Sequence, residues 1–128
     1  MATAGLDHFN IIAPEALMRE VRDFYVDVIG LQEGWRPDFG FPGYWLYAGE
    51  RAVVHLMAGG TSAAPPADAP ATGHLDHVAF TCTDLADTEK HLAALGVAYK
   101  KAEHPSFQLT QLFLSDPVGL GVELNFAG

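Results

Sequence analysis

One cysteine, few basic residues and no long apolar run set the first limits on this chain. Cys82 stands alone, so no intramolecular disulfide forms, and the fold must be held by packing or by a metal, as is usual in a reducing compartment. Cys82 itself reads as a buried core thiol. Seven Lys and Arg face 16 Asp and Glu, for a formal charge of -9. The chain therefore repels phosphate backbones and anionic lipid surfaces, and Lys100-Lys101 is its only basic cluster. Nucleic acid and membrane are not expected as partners. No stretch approaches the ~18 apolar residues of a membrane span, and the start, MATAGLDHFNII, has neither a basic region nor a long apolar one. The expectation is a soluble, cytoplasmic protein. Its 128 residues suit one compact domain or two small fused modules, not several independent domains.

What is present is a pattern written twice. Leu6-Asp7-His8-Phe9 recurs as Leu75-Asp76-His77-Val78, an offset of 69 from position 8 to position 77. Val54-His55-Leu56 recurs as Val122-Glu123-Leu124, an offset of 68 from 55 to 123. Between these matches each half places an amphipathic helix ending at a glycine, Gly30-Leu31 in one and Gly96-Val97 in the other. Separate matches at nearly one offset mark a duplicated module.

In the first half, Leu6 to Ile12 alternates in polarity and reads as a strand. Pro14 suits the first turn of a helix running to about Ile29, with Leu17, Val21, Phe24, Tyr25 and Val28 on one face and Gly30 as a left-handed cap. Strands are expected near Gln32–Arg36, Gly43–Ala48 and Arg51–Ala58, the last two joined by a tight turn at Gly49. The stretch 59–74 is rich in Pro and Ala, lacks periodicity and reads as a linker. In the second half Leu75 to Cys82 repeats the first strand. Asp84 is placed to cap a helix that turns Leu85, Leu92 and Leu95 inward and ends at Gly96. Strands near Tyr99–Ala102, Leu109–Ser115 and Gly121–Phe126 follow, with a turn at Asp116-Pro117-Val118-Gly119. The expected organisation is α+β: a βαβββ module over 1–58, a linker over 59–74 and a second βαβββ module over 75–128.

Period-two alternation sets His8, His55, His77 and Glu123 on the face opposite the bulky apolar residues Phe9 and Ile11, Val54 and Leu56, Val78 and Phe80, Leu124 and Phe126. The apolar face must back onto the helices. The duplication pairs His8 with His77 and His55 with Glu123 in an approximate two-fold relation, which is able to gather all four. Three imidazoles and a carboxylate suit a divalent Fe, Ni, Co, Zn or Mn ion. Any one of these residues alone would read as an ordinary structural or solvated side chain. Their equivalent placement in both repeats is what points to a metal, since burying such a set without a cation costs on the order of several kcal/mol.

The paired strands LDHFNI and LDHVAF, the helix end FYVDVIGL and the closing DPVGLGVELNF resemble the vicinal oxygen chelate superfamily of glyoxalase I, bleomycin-resistance proteins and extradiol dioxygenases. The likeness extends over essentially the whole chain. It implies two βαβββ modules forming a cupped, incomplete barrel around a divalent metal. By position it implies His8 and His77 as first-strand ligands, Glu123 as the last-strand carboxylate, and His55 in the remaining slot. Glyoxalase I has a glutamate in that slot, so the pair of proton-moving carboxylates is here reduced to Glu123.

Three chemistries follow from the resemblance. The first is a glyoxalase-like lyase or isomerase for a small carbonyl substrate, with Glu123 and His55 as catalytic residues. The second is extradiol ring cleavage, for which His8, His77 and Glu123 form the two-histidine, one-carboxylate set used with Fe(II). Members of that type are usually longer and carry a tyrosine on the strand before the carboxylate, where this chain has Phe113. His104 would be their acid/base residue, although a solvated loop position before Pro105 is the preferred reading. His74 and His91 read as surface residues. The third is a non-catalytic protein sequestering an aromatic drug, a class that usually lacks the metal ligands. Of the aromatic run Trp35, Phe39, Phe41, Tyr44, Trp45 and Tyr47, about half must pack in the core by strand alternation. Phe39 and Phe41, in a Gly/Pro-rich loop, are expected to border the substrate pocket. An open sheet edge in each module and a ~14-residue linker point to a homodimer.

Overall fold

The computed structural model describes residues 1–60 and 72–128. The chain divides into two compact units, Met1–Ala64 and Pro65–Gly128. Much of the stretch expected as a linker, positions 61–71, lies outside the described residues.

The first unit contains β1 (Phe9–Ala13), α1 (Glu15–Asp23), a π-helical turn (Phe24–Val28), β2 (Gln32–Gly34), β3 (Gly43–Ala48) and β4 (Arg51–Ala58). Its sheet runs β1-β4-β3-β2. β1 lies parallel to β4, with Phe9 opposite Val54 and Asn10 opposite His55, and the hairpins β2/β3 and β3/β4 are antiparallel. The second unit repeats this with β5 (His77–Cys82), α2 (Leu85–Leu95), β6 (Lys100–His104), a short 3-10 turn (Pro105–Phe107), β7 (Leu109–Ser115) and β8 (Gly121–Ala127). Its order is β5-β8-β7-β6, with β5 parallel to β8. Each unit is thus a βαβββ module built on an open four-stranded sheet, and neither sheet closes into a barrel.

Alternation explains the two faces. Val54 and Leu56 on β4 and Leu46 on β3 have no exposed surface, α1 covers them with Met18 and Val21, and Tyr25 of the π-helical turn is buried as well. In the second unit Leu112 and Leu114, Val122, Leu124 and Phe126 are buried with Leu92 of α2. Asp116 is itself buried and closes the β7/β8 turn, where its Oδ1 accepts the backbone N–H groups of Val118 and Leu120, both at 2.9 Å. Gly119 takes a positive φ of 88° there, as the turn composition demands.

Several local expectations are corrected. The first strand of each module starts later than the alternation suggests, at Phe9 and His77, because the parallel ladders begin only at Val54 and Gly121. Leu6 and Leu75 stay exposed. The first helix is α-helical only to Asp23 and then widens. The Ile29 N–H bonds the Phe24 carbonyl and the Leu31 N–H the Tyr25 carbonyl, a change of period that apolar spacing does not register. Gly30 ends it with a φ of 90°. Asp84 does not cap α2 through its side chain and sits in the left-handed region, while Leu95 is 48% exposed rather than inward. Cys82 is half-buried, not a core thiol. Burial still raises its thiol above the ordinary value, with a backbone contact at Asn125 opposing.

Candidate functional site

The helix-free face of the first sheet carries His8, Asn10, Trp45, His55 and Met57. His8 lies one residue before β1, and His55 lies on the neighbouring β4 beside Asn10 and between register partners Asn10 and Trp45. Strand adjacency therefore brings the three rings into line. His8 and His55 stack with ring centroids 3.6 Å apart and planes 12° from parallel, and Trp45 stacks on His55 at 4.2 Å and 14°. The Nε2 of His55 contacts the Ala52 carbonyl at 3.1 Å, which leaves Nδ1 as the nitrogen not engaged in that contact. Burial lowers the His55 pKa, and the neighbouring His8 lowers it further against the opposing Ala52 carbonyl. In parallel planes 3.6 Å apart the in-plane lone pairs of His8 and His55 do not converge, so joint coordination requires one ring to turn.

The second sheet presents the equivalent pair. Parallel pairing sets His77 opposite Gly121 and Ala79 opposite Glu123, so His77 and Glu123 project from one face two residues apart along adjacent strands. Gly121 permits the approach, since a Cβ there would lie 2.9 Å from the Cβ of His77 and 2.8 Å from the Asp76 carbonyl oxygen. The charge of Glu123 helps to raise the His77 pKa, but the largest cause is the hydrogen bond from His77 to Asp76.

Both first-strand histidines have the same support. His8 Nδ1 is 2.7 Å from the Asp7 carboxylate and His77 Nδ1 is 2.8 Å from that of Asp76. Each carboxylate fixes its ring with Nε2 facing away, the arrangement that orients metal-binding histidines. Both aspartates belong to the repeated Leu-Asp-His, a pattern that marks the duplication without showing that the carboxylate turns back onto the ring beside it.

Glu123 is also held. Asn125 donates from Nδ2 to its carboxylate at 3.2 Å, Gln111 donates to Asn125 Oδ1 at 3.4 Å, and Gln111 Oε1 meets His104 Nε2 at 2.9 Å. His104 is therefore not a solvated loop residue: it ends β6, is half-buried and stacks on Phe107 at 4.9 Å. This chain of partners arises from strand pairing across β6, β7 and β8, with Gln111 opposite both Ala102 and Asn125, and no local motif announces it. Phe113 stands directly opposite Glu123. His74 and His91 are exposed, as expected.

A cavity of about 430 Å³ opens on the first sheet, walled by Phe39, Phe41, Trp45, His55, Met57 and Arg36 among others. Another of about 390 Å³ in the second unit includes Asp76, His77, Phe113 and Gly121. Trp35, from the same aromatic run, is mostly exposed and meets Trp45 edge-on at 5.9 Å. Among the described residues, no group of three or more His, Cys, Asp or Glu is suited to hold a metal. What the structure displays is a pair in each unit: His8 with His55, and His77 with Glu123.

A family model for the Glyoxalase/Bleomycin resistance protein/Dioxygenase superfamily matches residues 5–124. The chain belongs to this superfamily. A curated relative, "Glyoxylase I 4" of Arabidopsis thaliana, is 29% identical over 123 residues, which are 94% of this chain and 69% of the relative. Among solved structures, a putative glyoxalase family protein from Bacillus anthracis has a TM-score of 0.72 at 23% identity, covering 100% of this chain and 98% of its own. Lactoylglutathione lyase from Agrobacterium tumefaciens has a TM-score of 0.66 at 19% identity, covering 98% and 96%. A fosfomycin resistance protein from Listeria monocytogenes has 0.68 at 14%, covering 99% and 96%. At these identities the solved structures establish the superfamily's paired-module fold.

Proposed function

We propose that the protein is a metal-dependent, glyoxalase-like lyase or isomerase acting on a small carbonyl substrate. The observation that carries this reading is the matched pair of histidines, His8 and His77, each with Nδ1 on the preceding aspartate and Nε2 turned away. The donor types that the resemblance implies, imidazole nitrogens of His8, His55 and His77 with a Glu123 oxygen, fit a divalent Fe, Ni, Co, Zn or Mn ion. Such an ion, when bound, supplies Lewis acidity to adjacent substrate oxygens.

The remaining work falls to the side chains. Glu123 removes a proton from the carbon beside the substrate carbonyl, and its acid form returns that proton at the neighbouring atom. Asn125 restricts the Glu123 carboxylate through its hydrogen bond. His55, held below the ordinary histidine pKa, is neutral near pH 7, the form in which an imidazole donates a lone pair to a metal. Phe39, Phe41 and Trp45 keep water from the apolar part of the substrate.

Extradiol cleavage is the alternative chemistry, and Phe113 disfavours it. The residue facing Glu123 across the β7/β8 pair has a phenyl ring where the resemblance calls for a phenol. Simple sequestration of an aromatic drug would leave the two Asp-His pairs without a purpose. Elemental analysis of protein purified without added metal, followed by assays in and out of air, separates the three. We expect a bound divalent metal, turnover of a carbonyl substrate such as methylglyoxal with glutathione under anaerobic conditions, and loss of turnover in Glu123→Gln. Consumption of a catechol only with Fe(II) and oxygen would establish the ring-cleaving reading instead, and metal-free protein that binds aromatic drugs would establish sequestration.

We also propose a homodimer, since β1 and β2 in one sheet and β5 and β6 in the other have unpaired edges. A monomer mass by light scattering across dilutions, with metal bound, would overturn this.

A further inference from the structure

His104, Gln111, Asn125 and Glu123 form a row across the helix-free face of the second sheet, and the row has a direction. Gln111 and Asn125 are register partners on β7 and β8, so their side chains leave the same face side by side. Asn125 and Glu123 lie two residues apart on β8 and share that face by parity. Gln111 also pairs with Ala102, whose small side chain leaves room for the ring of His104, two residues further along β6, to lean across. The contacts are 2.9 Å from His104 Nε2 to Gln111 Oε1, 3.4 Å from Gln111 Nε2 to Asn125 Oδ1 and 3.2 Å from Asn125 Nδ2 to Glu123 Oε2.

The carboxylate sets the direction. In the form that acts as a base it has no hydrogen to give, so Asn125 turns its NH2 towards it and its carbonyl oxygen towards Gln111. Gln111 must then donate to Asn125 and present its own carbonyl oxygen to His104. That oxygen only accepts, so His104 carries a hydrogen on Nε2. Each amide in the row is thereby held in one of its two flip states. The outer end is held as well: the turn Pro105–Phe107 brings the Phe107 ring against that of His104, with centroids 4.9 Å apart and planes 16° from parallel.

We propose that His104 is a positioning residue for Glu123. As a fixed Nε2–H donor it orients and polarises the two amides, so that Oε2 of Glu123 stays with Asn125 and Oε1 is left to act. The proposal rests on the reading of Glu123 as the base and names what aims its carboxylate. The row requires of His104 a donor at Nε2, not a proton that leaves. This separates its role from that of an acid or base in ring cleavage.

The test compares His104→Gln, which keeps an N–H donor near the place of Nε2 without an ionisable ring, with His104→Leu, which has neither. Nitrogen-15 NMR of the wild-type protein, with and without Zn(II), is expected to show the His104 hydrogen on Nε2, and the neutral Nδ1–H tautomer overturns the proposal. The Asn125 side-chain amide signal is expected to move in His104→Leu and to return in His104→Gln; a signal indifferent to His104→Leu overturns it as well. In turnover, His104→Leu is expected to lower kcat by about tenfold with KM little changed, the low end of what a partner behind a site residue contributes, and His104→Gln to restore it. If His104→Gln is as slow as His104→Leu, the imidazole itself is needed and the proposal falls. If His104→Leu does not fold by circular dichroism, the wild-type tautomer and the kcat of His104→Gln decide. Absence of turnover with every carbonyl substrate counts against the proposed reaction alone, and the two NMR readouts then decide for or against His104.

Discussion

The imidazoles of His8 and His55 lie face to face, 3.6 Å apart and 12° from parallel, with Trp45 stacked on His55 as well. Such a stack forms readily between neutral rings and is opposed by protonating both, and it cannot persist if both rings coordinate one ion. Adding Zn(II) or Ni(II) to metal-free protein is therefore expected to break it, seen as loss of the mutual ring-current shifts of the two histidines and a change in tryptophan fluorescence. Histidine signals of His55 that stay put while those of His8 and His77 move would place His55 outside the coordination shell.

In the metal-free protein His55 and His77 are displaced from the ordinary histidine pKa in opposite directions. Burial, reinforced by His8, holds His55 below the ordinary 6.5, whereas the hydrogen bond to Asp76, with the charges of Glu123 and Asp76, holds His77 above it. Folded His55 binds fewer protons than the unfolded chain, so its contribution to stability is complete above pH 6.5 and is lost as pH falls through its folded pKa. For His77 the sign reverses: its contribution is complete below 6.5 and is lost as pH rises through its folded pKa. Proton NMR titration of the two rings measures both midpoints, and finding His55 at or above His77 would contradict the assignment.

Asp7 and Asp76 are expected to matter to the metal although neither is in the proposed donor set. Asp7→Asn and Asp76→Asn should each weaken metal binding by about 10–100-fold, the usual effect of removing the carboxylate behind a coordinating histidine. Competition with a chelating dye reads this directly. Unchanged affinity in both variants would mean that the Asp-His pairs serve only the surface.

Asn125 links the Glu123 carboxylate to Gln111 and thereby to His104. Replacing Asn125 with Ala should cost about 1 kcal/mol in denaturant unfolding, the net worth of a typical hydrogen bond, and should reduce kcat more than it raises KM. Turnover equal to wild type alongside the stability loss would limit the network to a structural role.

Much of the fold was legible in the sequence because a duplicated pattern constrains both halves at once. The repeat of Leu-Asp-His, the turn glycines and the period-two faces located the βαβββ order, and the strands Gly43–Ala48, Arg51–Ala58 and Leu109–Ser115 stand where alternation put them. The four polar residues His8, His55, His77 and Glu123 were found by the same logic, since side-chain direction along a strand follows from parity alone. Only the tertiary structure decided how those side chains are held. The widening of the first helix at Phe24, the His8–His55–Trp45 stack and the relay from His104 to Glu123 depend on register between strands or on a loop folding back over a sheet. Parity tells which face a residue occupies. Which neighbour it meets there is set by long-range pairing, and that is absent from any local stretch of sequence.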